Sequence, residues 1–200
     1  MNLLLTGQLA PSGDLLTSRG IALDNGGGKV RPIAIGEPLH RYADQVVARL
    51  LRQTGKHLAP TQLGVGVAGG VEAATWAVRT ALEAGKVAVQ VDFANAFNAI
   101  SRAAVLAGVA KRAPDFSRYP LGMYRGPSEV RFRGEDGQPV VILSSEGVRQ
   151  GAPASPALFA IALPDVLPQV ASDMEAATWL PMCIDVHRGA LRRASTSSGM

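Results

Sequence analysis

The sequence has one cysteine, Cys183. A single thiol builds neither a disulfide framework nor a zinc cluster, so a reducing compartment is the expectation. Long hydrophobic runs are lacking as well. The opening Met1-Asn2-Leu3-Leu4-Leu5 is too short for a secretion signal and carries no basic leader. No stretch approaches the roughly 20 apolar residues that a membrane span requires. These absences predict a soluble, intracellular chain without a membrane partner, and they do not separate nucleus from cytoplasm. Charge is sparse, with 18% charged residues against 47% hydrophobic. That balance excludes wholesale disorder and suits a packed core. A length of 200 residues fits one domain or a piece of a larger one.

Turn formers are plentiful, with Gly 22 and Pro 13. The net charge is +4 and the isoelectric point about 9.6, which favours a polyanionic partner. Leu15 to Leu23 and Lys29 to Ile35 read as strands around the turn Asp24-Asn25-Gly26-Gly27-Gly28, a hairpin. Glu37 to Thr54 reads as a helix. Leu39, Tyr42, Val46, Val47, Leu50 and Leu51 recur at helical spacing and are expected to face the core. Arg41, Arg49, Arg52 and Lys56 fall in one stripe on the opposite side. A stripe of one sign is either a solvated face or a row of phosphate contacts.

Gly64 to Gly70 is a glycine-rich loop before a helix from Val71 to Ala84. It follows no strand and lacks the Lys-Ser/Thr ending, so it is not a P-loop. A strand is expected over Val87 to Phe93, a helix over Ile100 to Arg112, and a short irregular helix over Pro114 to Tyr124. Glu129 to Phe132 and Pro139 to Leu143 form a second hairpin around Glu135-Asp136-Gly137. A polar loop, Ser144 to Ala154, leads to a further helix with Ser155 as N-cap and Pro156 at the first helical position. Hairpins alternating with helices give an α+β fold.

Side chains alternate along Val87-Ala88-Val89-Gln90-Val91-Asp92-Phe93. Val87, Val89, Val91 and Phe93 are expected to pack on helices, while Ala88, Gln90 and Asp92 line a small polar face. Asp92 therefore has two readings. It caps the following turn, or it is a magnesium ligand at a strand tip, where oxygen donors are held rigidly beside room for phosphates.

Asp92-Phe93-Ala94-Asn95-Ala96-Phe97-Asn98-Ala99-Ile100 resembles motif A of reverse transcriptases: a strand, Asp, three residues, Ala and an aromatic. The resemblance implies that Asp92 binds catalytic magnesium. It also implies that Phe97 lies under the sugar of an incoming nucleotide and excludes a 2′-hydroxyl; without the motif, Phe97 reads as an ordinary core ring. Asn98 stands where many members carry a second Asp. Gly147-Val148-Arg149-Gln150-Gly151-Ala152-Pro153-Ala154-Ser155-Pro156-Ala157-Leu158-Phe159 resembles motif B, with Gln-Gly, then Ser-Pro and Leu-Phe. Gly151 permits close backbone approach and Gln150 offers a donor and an acceptor; the resemblance implies that both border the nucleotide and the template base. Arg149 is assigned to template or triphosphate by charge alone.

Lys29-Val30-Arg31-Pro32-Ile33-Ala34-Ile35 resembles the fingers segment that precedes motif A. The resemblance implies that a basic residue before Pro-Ile grips the incoming triphosphate, and Arg31 is the better candidate because a guanidinium binds phosphate oxygens in pairs. Lys29 is secondary, with solvation of the turn as its competing role. The resemblance covers Leu15 to Val170 and looks closest to non-LTR or group II-like retroelement enzymes. It implies a right-hand polymerase with fingers (1–85), palm with motif A (86–112), a fingers hairpin (113–146), palm with motif B (147–178) and a divergent tail (179–200), the palm sheet being an incomplete ferredoxin-like one. Partners implied are an RNA or DNA template-primer and deoxynucleoside triphosphates.

One family element is missing. Two-metal transfer needs a second carboxylate set, carried in the family on an aromatic-x-Asp-Asp hairpin. The region where it belongs reads Trp179-Leu180-Pro181-Met182-Cys183-Ile184-Asp185-Val186-His187, and the sequence holds no Asp-Asp pair anywhere. Tyr42-Ala43-Asp44-Gln45 mimics that signature only superficially, far upstream. Asp185 is either a remnant or lies in a tail that has left the family frame. Cys183 and His187 are too few for a metal site. The expectation is a truncated domain with no useful polymerase activity of its own, and the rival is a non-catalytic nucleic-acid-binding fragment.

Overall fold

A computed structural model describes residues 6, 13–24, 26, 30–56, 58–88 and 93–172, without the side chains of 13, 14 and 168–172. Lys29, Asp92 and everything from 173 onward, including Asp185, lie outside the described residues.

Both expected hairpins form. Strands β1 (Ser18–Asp24) and β2 (Val30–Gly36) pair antiparallel, Ser18 opposite Gly36 and Asp24 opposite Val30. The carboxylate of Asp24 accepts the Gly26 N–H at 2.8 Å, a local turn bond that starts the reversal. Leu15 and Leu16, expected in the first strand, belong to a 3₁₀ turn over Gly13–Leu16. Strands β3 (Ser128–Arg133) and β4 (Pro139–Ser144) form the second hairpin. A short parallel contact of β1 with β3, at Ser18/Val130 and Arg19/Arg131, joins the hairpins into one mixed four-stranded sheet of order β2-β1-β3-β4. Helices complete it: α1 (Pro38–Lys56), α2 (Gly70–Glu83), the single turn α3 (Ala96–Ala99), α4 (Arg102–Arg112), α5 (Arg118–Tyr124) and α6 (Ser155–Ser172). The mixed content agrees with the expected α+β class.

The core is built on α6, where Ala157 to Leu163 are all buried. A helix apolar on every side belongs in the interior. Helix α4 crosses it closely: a Cβ on Gly108 would lie 3.0 Å from the Ala162 Cα, so only glycine lets the helices approach this far. Val105 and Val109 flank that contact. At the end of the crossing, Asp165 of α6 accepts from Lys111 at 3.1 Å and from Nη2 of Arg112 at 2.7 Å. These cations hold its carboxyl well below the usual range, Arg112 contributing most.

Three expectations are corrected. Helix α1 forms, but Leu39, Tyr42 and Leu50 are exposed. The buried face is His40, Ala43, Asp44, Val47, Leu51 and Gly55. Apolar residues occur on two sides of this helix, and the side facing α6 is the one whose polar members are satisfied internally. Val87 is 88% exposed and, with Ala88, outside any strand, instead of packing on helices. Strand geometry needs a hydrogen-bonded neighbour, and among the described residues none pairs with this stretch; Val89 to Asp92 are outside them. At α6 the first bond runs from Leu158 N to the Ala154 carbonyl. Ala154 is therefore the cap, Ser155 the first helical residue and Pro156 the second, so the helix begins one residue earlier than expected.

Candidate functional site

Asn95 adopts left-handed backbone angles (φ 52°, ψ 37°), which asparagine tolerates better than most residues. This kink starts α3, whose turn closes through Asn98 N and Ala99 N on the Asn95 carbonyl at 2.8 and 2.9 Å. Phe97 and Asn98 sit on that turn, half-buried. The Phe97 ring lies 5.2 Å from the ring of Phe159 on α6, tilted by 34°. The next helix, α4, is capped by the Ser101 hydroxyl, which accepts from Ala104 N at 3.4 Å.

The loop ahead of α6 docks onto this turn. Val148 N donates to the Phe97 carbonyl at 2.7 Å and Gly147 N to the Ile100 carbonyl at 3.1 Å. Gly147 has φ +69°, and a Cβ there would stand 2.4 Å from the Phe97 oxygen, so no side chain fits. The amide of Asn98 donates from Nδ2 to Gln150 Oε1 at 3.4 Å. The same loop grips the sheet. Ala34 N of β2 donates to the Gln150 carbonyl at 2.7 Å. Gly151, at φ +115°, leaves so little room that a Cβ would be 2.9 Å from both the Ala34 oxygen and the Ile33 side chain.

Ile33 and Arg31 share one face of β2. A strand rises about 3.3 Å per residue, so Arg31 stands roughly 7 Å along the strand from the Ile33–Gly151 contact. Arg31, Phe97, Asn98, Gln150 and Gly151 are thus brought to one region by three segments distant in sequence. Arg41, Arg49, Arg52 and Lys56 are all exposed along α1, as their spacing predicts.

Arg149 departs from its expected role. It is 4% exposed and turned inward. Its guanidinium meets His40 Nδ1 at 3.0 Å and donates to the Leu16 carbonyl at 2.9 Å. A guanidinium only donates. His40 Nδ1 must therefore accept, and the ring proton sits on Nε2, 2.7 Å from the Met123 sulfur. Beside it, Tyr119 donates to Asp44 Oδ1 at 2.7 Å. The Arg149 N–H donates to the Tyr124 hydroxyl at 3.3 Å. Charge alone placed Arg149 at a nucleic acid, but its hydrogen bonds place it in the interior.

Burial, aided by the Arg149 charge, lowers the His40 pKa to about 4. Burial raises that of Asp44 to about 6, against the opposing Tyr119 bond and Arg149 charge. The two have opposite consequences. Folded Asp44 holds its proton above the unfolded value of 3.8, so its contribution is lost as pH rises toward 6. Folded His40 releases its proton below the unfolded value of 6.5, so its contribution is lost as pH falls toward 4. Each amounts to about 3 kcal/mol across its window, and they nearly cancel. Relative to the unaltered protein, Asp44→Asn should therefore gain stability by about that amount between pH 4 and 6.5. His40→Gln should lose stability over the same range. Urea melts at several pH values measure both slopes; parallel curves for all three proteins would contradict the assignment.

Sequence reading did not pick out Arg102, which opens α4 and bonds to the chain around the loop. A cation at a helix N-terminus opposes the dipole, and that was the available signal. It also missed the burial of both His40 and Asp44, four residues apart on one helix face. Among the described residues, no group of three or more His, Cys, Asp or Glu could hold a metal ion. No helix there is long and apolar enough to cross a membrane.

A comparison with curated proteins finds no match. A comparison with protein families matches residues 23–182 to the family described as reverse transcriptase (RNA-dependent DNA polymerase). The match runs past Val170, where the motif likeness ends, and past Trp179. With most of its length matched, and with the motif A turn bonded to the motif B loop, the chain belongs to the reverse transcriptase family.

Proposed function

We propose that the region shared by Arg31, Phe97, Gln150 and Gly151 is a deoxynucleotide site, inherited from template-directed DNA synthesis at a primer 3′-end. The observation that carries this reading is the direct bonding of the Phe97–Asn98 turn to the Val148–Gln150 loop. Arg31 takes the triphosphate, with Lys29 as its secondary. Phe97 lies under the sugar. Gln150 and Gly151 border the base. The subdomain reading follows, with fingers in 1–85 and 113–146 and palm in 86–112 and 147–178. A non-LTR or group II-like retroelement origin belongs to the same reading.

Magnesium is the family's cofactor, and Asp92 is the ligand this chain offers. The donor set does not fit a two-metal centre. One carboxylate alone does not supply the ligands that two ions need, and the sequence has no Asp-Asp pair to join it. We therefore derive no transfer step for these 200 residues, and they are expected not to extend a primer.

The exposed cations of α1 favour a second element of function, retained binding of the template-primer. Arg41, Arg49, Arg52 and Lys56 each neutralise one backbone phosphate. The test is filter binding of a primer-template across salt concentrations, beside a primer-extension assay. The slope of log affinity against log salt should fall by about 0.9 for each cation replaced by alanine on duplex. A fourfold alanine variant with an unchanged slope would reject this interface. Extension that disappears in Asp92→Ala would show an active polymerase and reject the inactivity.

A further inference from the structure

Arg102 is half-buried at the first position of α4. Its guanidinium donates to the carbonyls of Gly126 at 2.8 Å, Ser144 at 3.0 Å, Glu146 at 3.3 Å and Gly147 at 3.0 Å, and to the Ser144 hydroxyl at 3.0 Å. These acceptors come from the end of α5, the end of β4 and the start of the loop. None of them is a carboxylate. Burial lowers the Arg102 pKa, so the protein keeps a partly desolvated cation here to hold neutral carbonyls. The guanidinium also lies 5.3 Å over the Tyr124 ring. The hydroxyl of that ring receives the Arg149 N–H, immediately before Gln150.

The consequence is geometric. Arg102 follows the Phe97–Asn98 turn in sequence and draws Gly147 toward it from the other side. Gly147 N and Val148 N then close on Ile100 and Phe97. Through Tyr124, the same side chain bears on the residue that precedes Gln150. We propose that Arg102 is a positioning residue, which clamps the Gly147–Gly151 loop against the motif A turn so that Gln150 and Gly151 face the nucleotide. The nucleotide part rests on the reading above; the clamp rests on the hydrogen bonds alone.

A lysine cannot replace it. An ammonium offers three donors from one point, whereas the planar fork spans acceptors on three segments. A residue serving general stability would, when removed, loosen the whole fold. A clamp would loosen the loop alone, because proteins open locally where few contacts hold a segment.

The experiment is amide hydrogen exchange on the full chain, as wild type, Arg102→Ala and Arg102→Lys, beside titration with a fluorescent deoxyadenosine triphosphate. Exchange at Gly147, Val148 and Ala152 is expected to quicken at least about tenfold in both variants, a local opening easier by about 1.4 kcal/mol. Val47 and Leu51, in the core of α1, keep their wild-type rates. Nucleotide affinity falls by a similar factor. Unchanged loop exchange would overturn the proposal, and so would acceleration of Val47 and Leu51 by the same factor as the loop. If Arg102→Ala does not fold, Arg102→Lys carries the comparison. A wild type that binds no nucleotide would strike the nucleotide reading, and loop exchange would still decide the clamp.

Discussion

Replacing Arg149 with methionine should lower the unfolding free energy by about 2–6 kcal/mol and leave nucleic-acid binding unaltered. The side chain is buried, and two acceptors depend on it, His40 Nδ1 and the Leu16 carbonyl. An acceptor stranded away from water costs about 1–3 kcal/mol. Asp44 would also lose the positive charge that tempers its burial, and its pKa should rise further. Methionine keeps the apolar stem, so the loss reports the guanidinium rather than a cavity. Arg149→Lys should recover only part, because one ammonium cannot serve both acceptors in the fork geometry. Urea melts supply the stability, and filter binding across salt supplies the rest. If Arg149 touched template phosphate, the reverse pattern would appear, with stability kept and the salt slope lower by about one.

That inversion shows where sequence reading succeeds and stops. The hairpins were legible because Asp24-Asn25-Gly26-Gly27-Gly28 and Glu135-Asp136-Gly137 are local turn chemistry. Their union into one sheet was not, because the parallel contact of Ser18 with Val130 joins residues more than a hundred positions apart, and no local pattern records it. The buried face of α1 was misread for a related reason. Periodicity selects apolar residues, so it places Leu39, Tyr42 and Leu50 inward. The interior instead took His40 and Asp44, whose partners Arg149 and Tyr119 come from distant segments. Charge likewise says that Arg149 is a cation and nothing about the direction it points. The exposed stripe of Arg41, Arg49, Arg52 and Lys56 needed only helix geometry, and it came out as expected. Motif spacing pointed to Phe97, Gln150 and Gly151, and these residues do lie together. Asp92 is outside the described residues, so its carboxylate enters only through the sequence.

Phe97→Val carries the second large effect, in sugar discrimination. The Phe97 ring is backed by Phe159 at 5.2 Å, and its carbonyl is fixed by Val148 N. A ring held from behind cannot retreat from a nucleotide placed on its open side. In the proposed site a 2′-hydroxyl would clash with this ring, whereas a deoxyribose would not. Valine removes most of the ring and opens that space. The preference for dATP over ATP should shrink by about tenfold or more, a differential of roughly 1.4 kcal/mol. An ordinary core ring would behave otherwise. Trimming it would destabilise the fold by about 1–3 kcal/mol and move both affinities together.

The most direct measurement is a competitive equilibrium titration of dATP against ATP on the wild-type chain and on Phe97→Val. The expected result is saturable binding with dATP favoured by the wild type and a preference largely lost in the variant. Absence of nucleotide binding in the wild type, or an equal dATP-to-ATP ratio in both proteins, would contradict a shared nucleotide site between the motif A turn and the motif B loop.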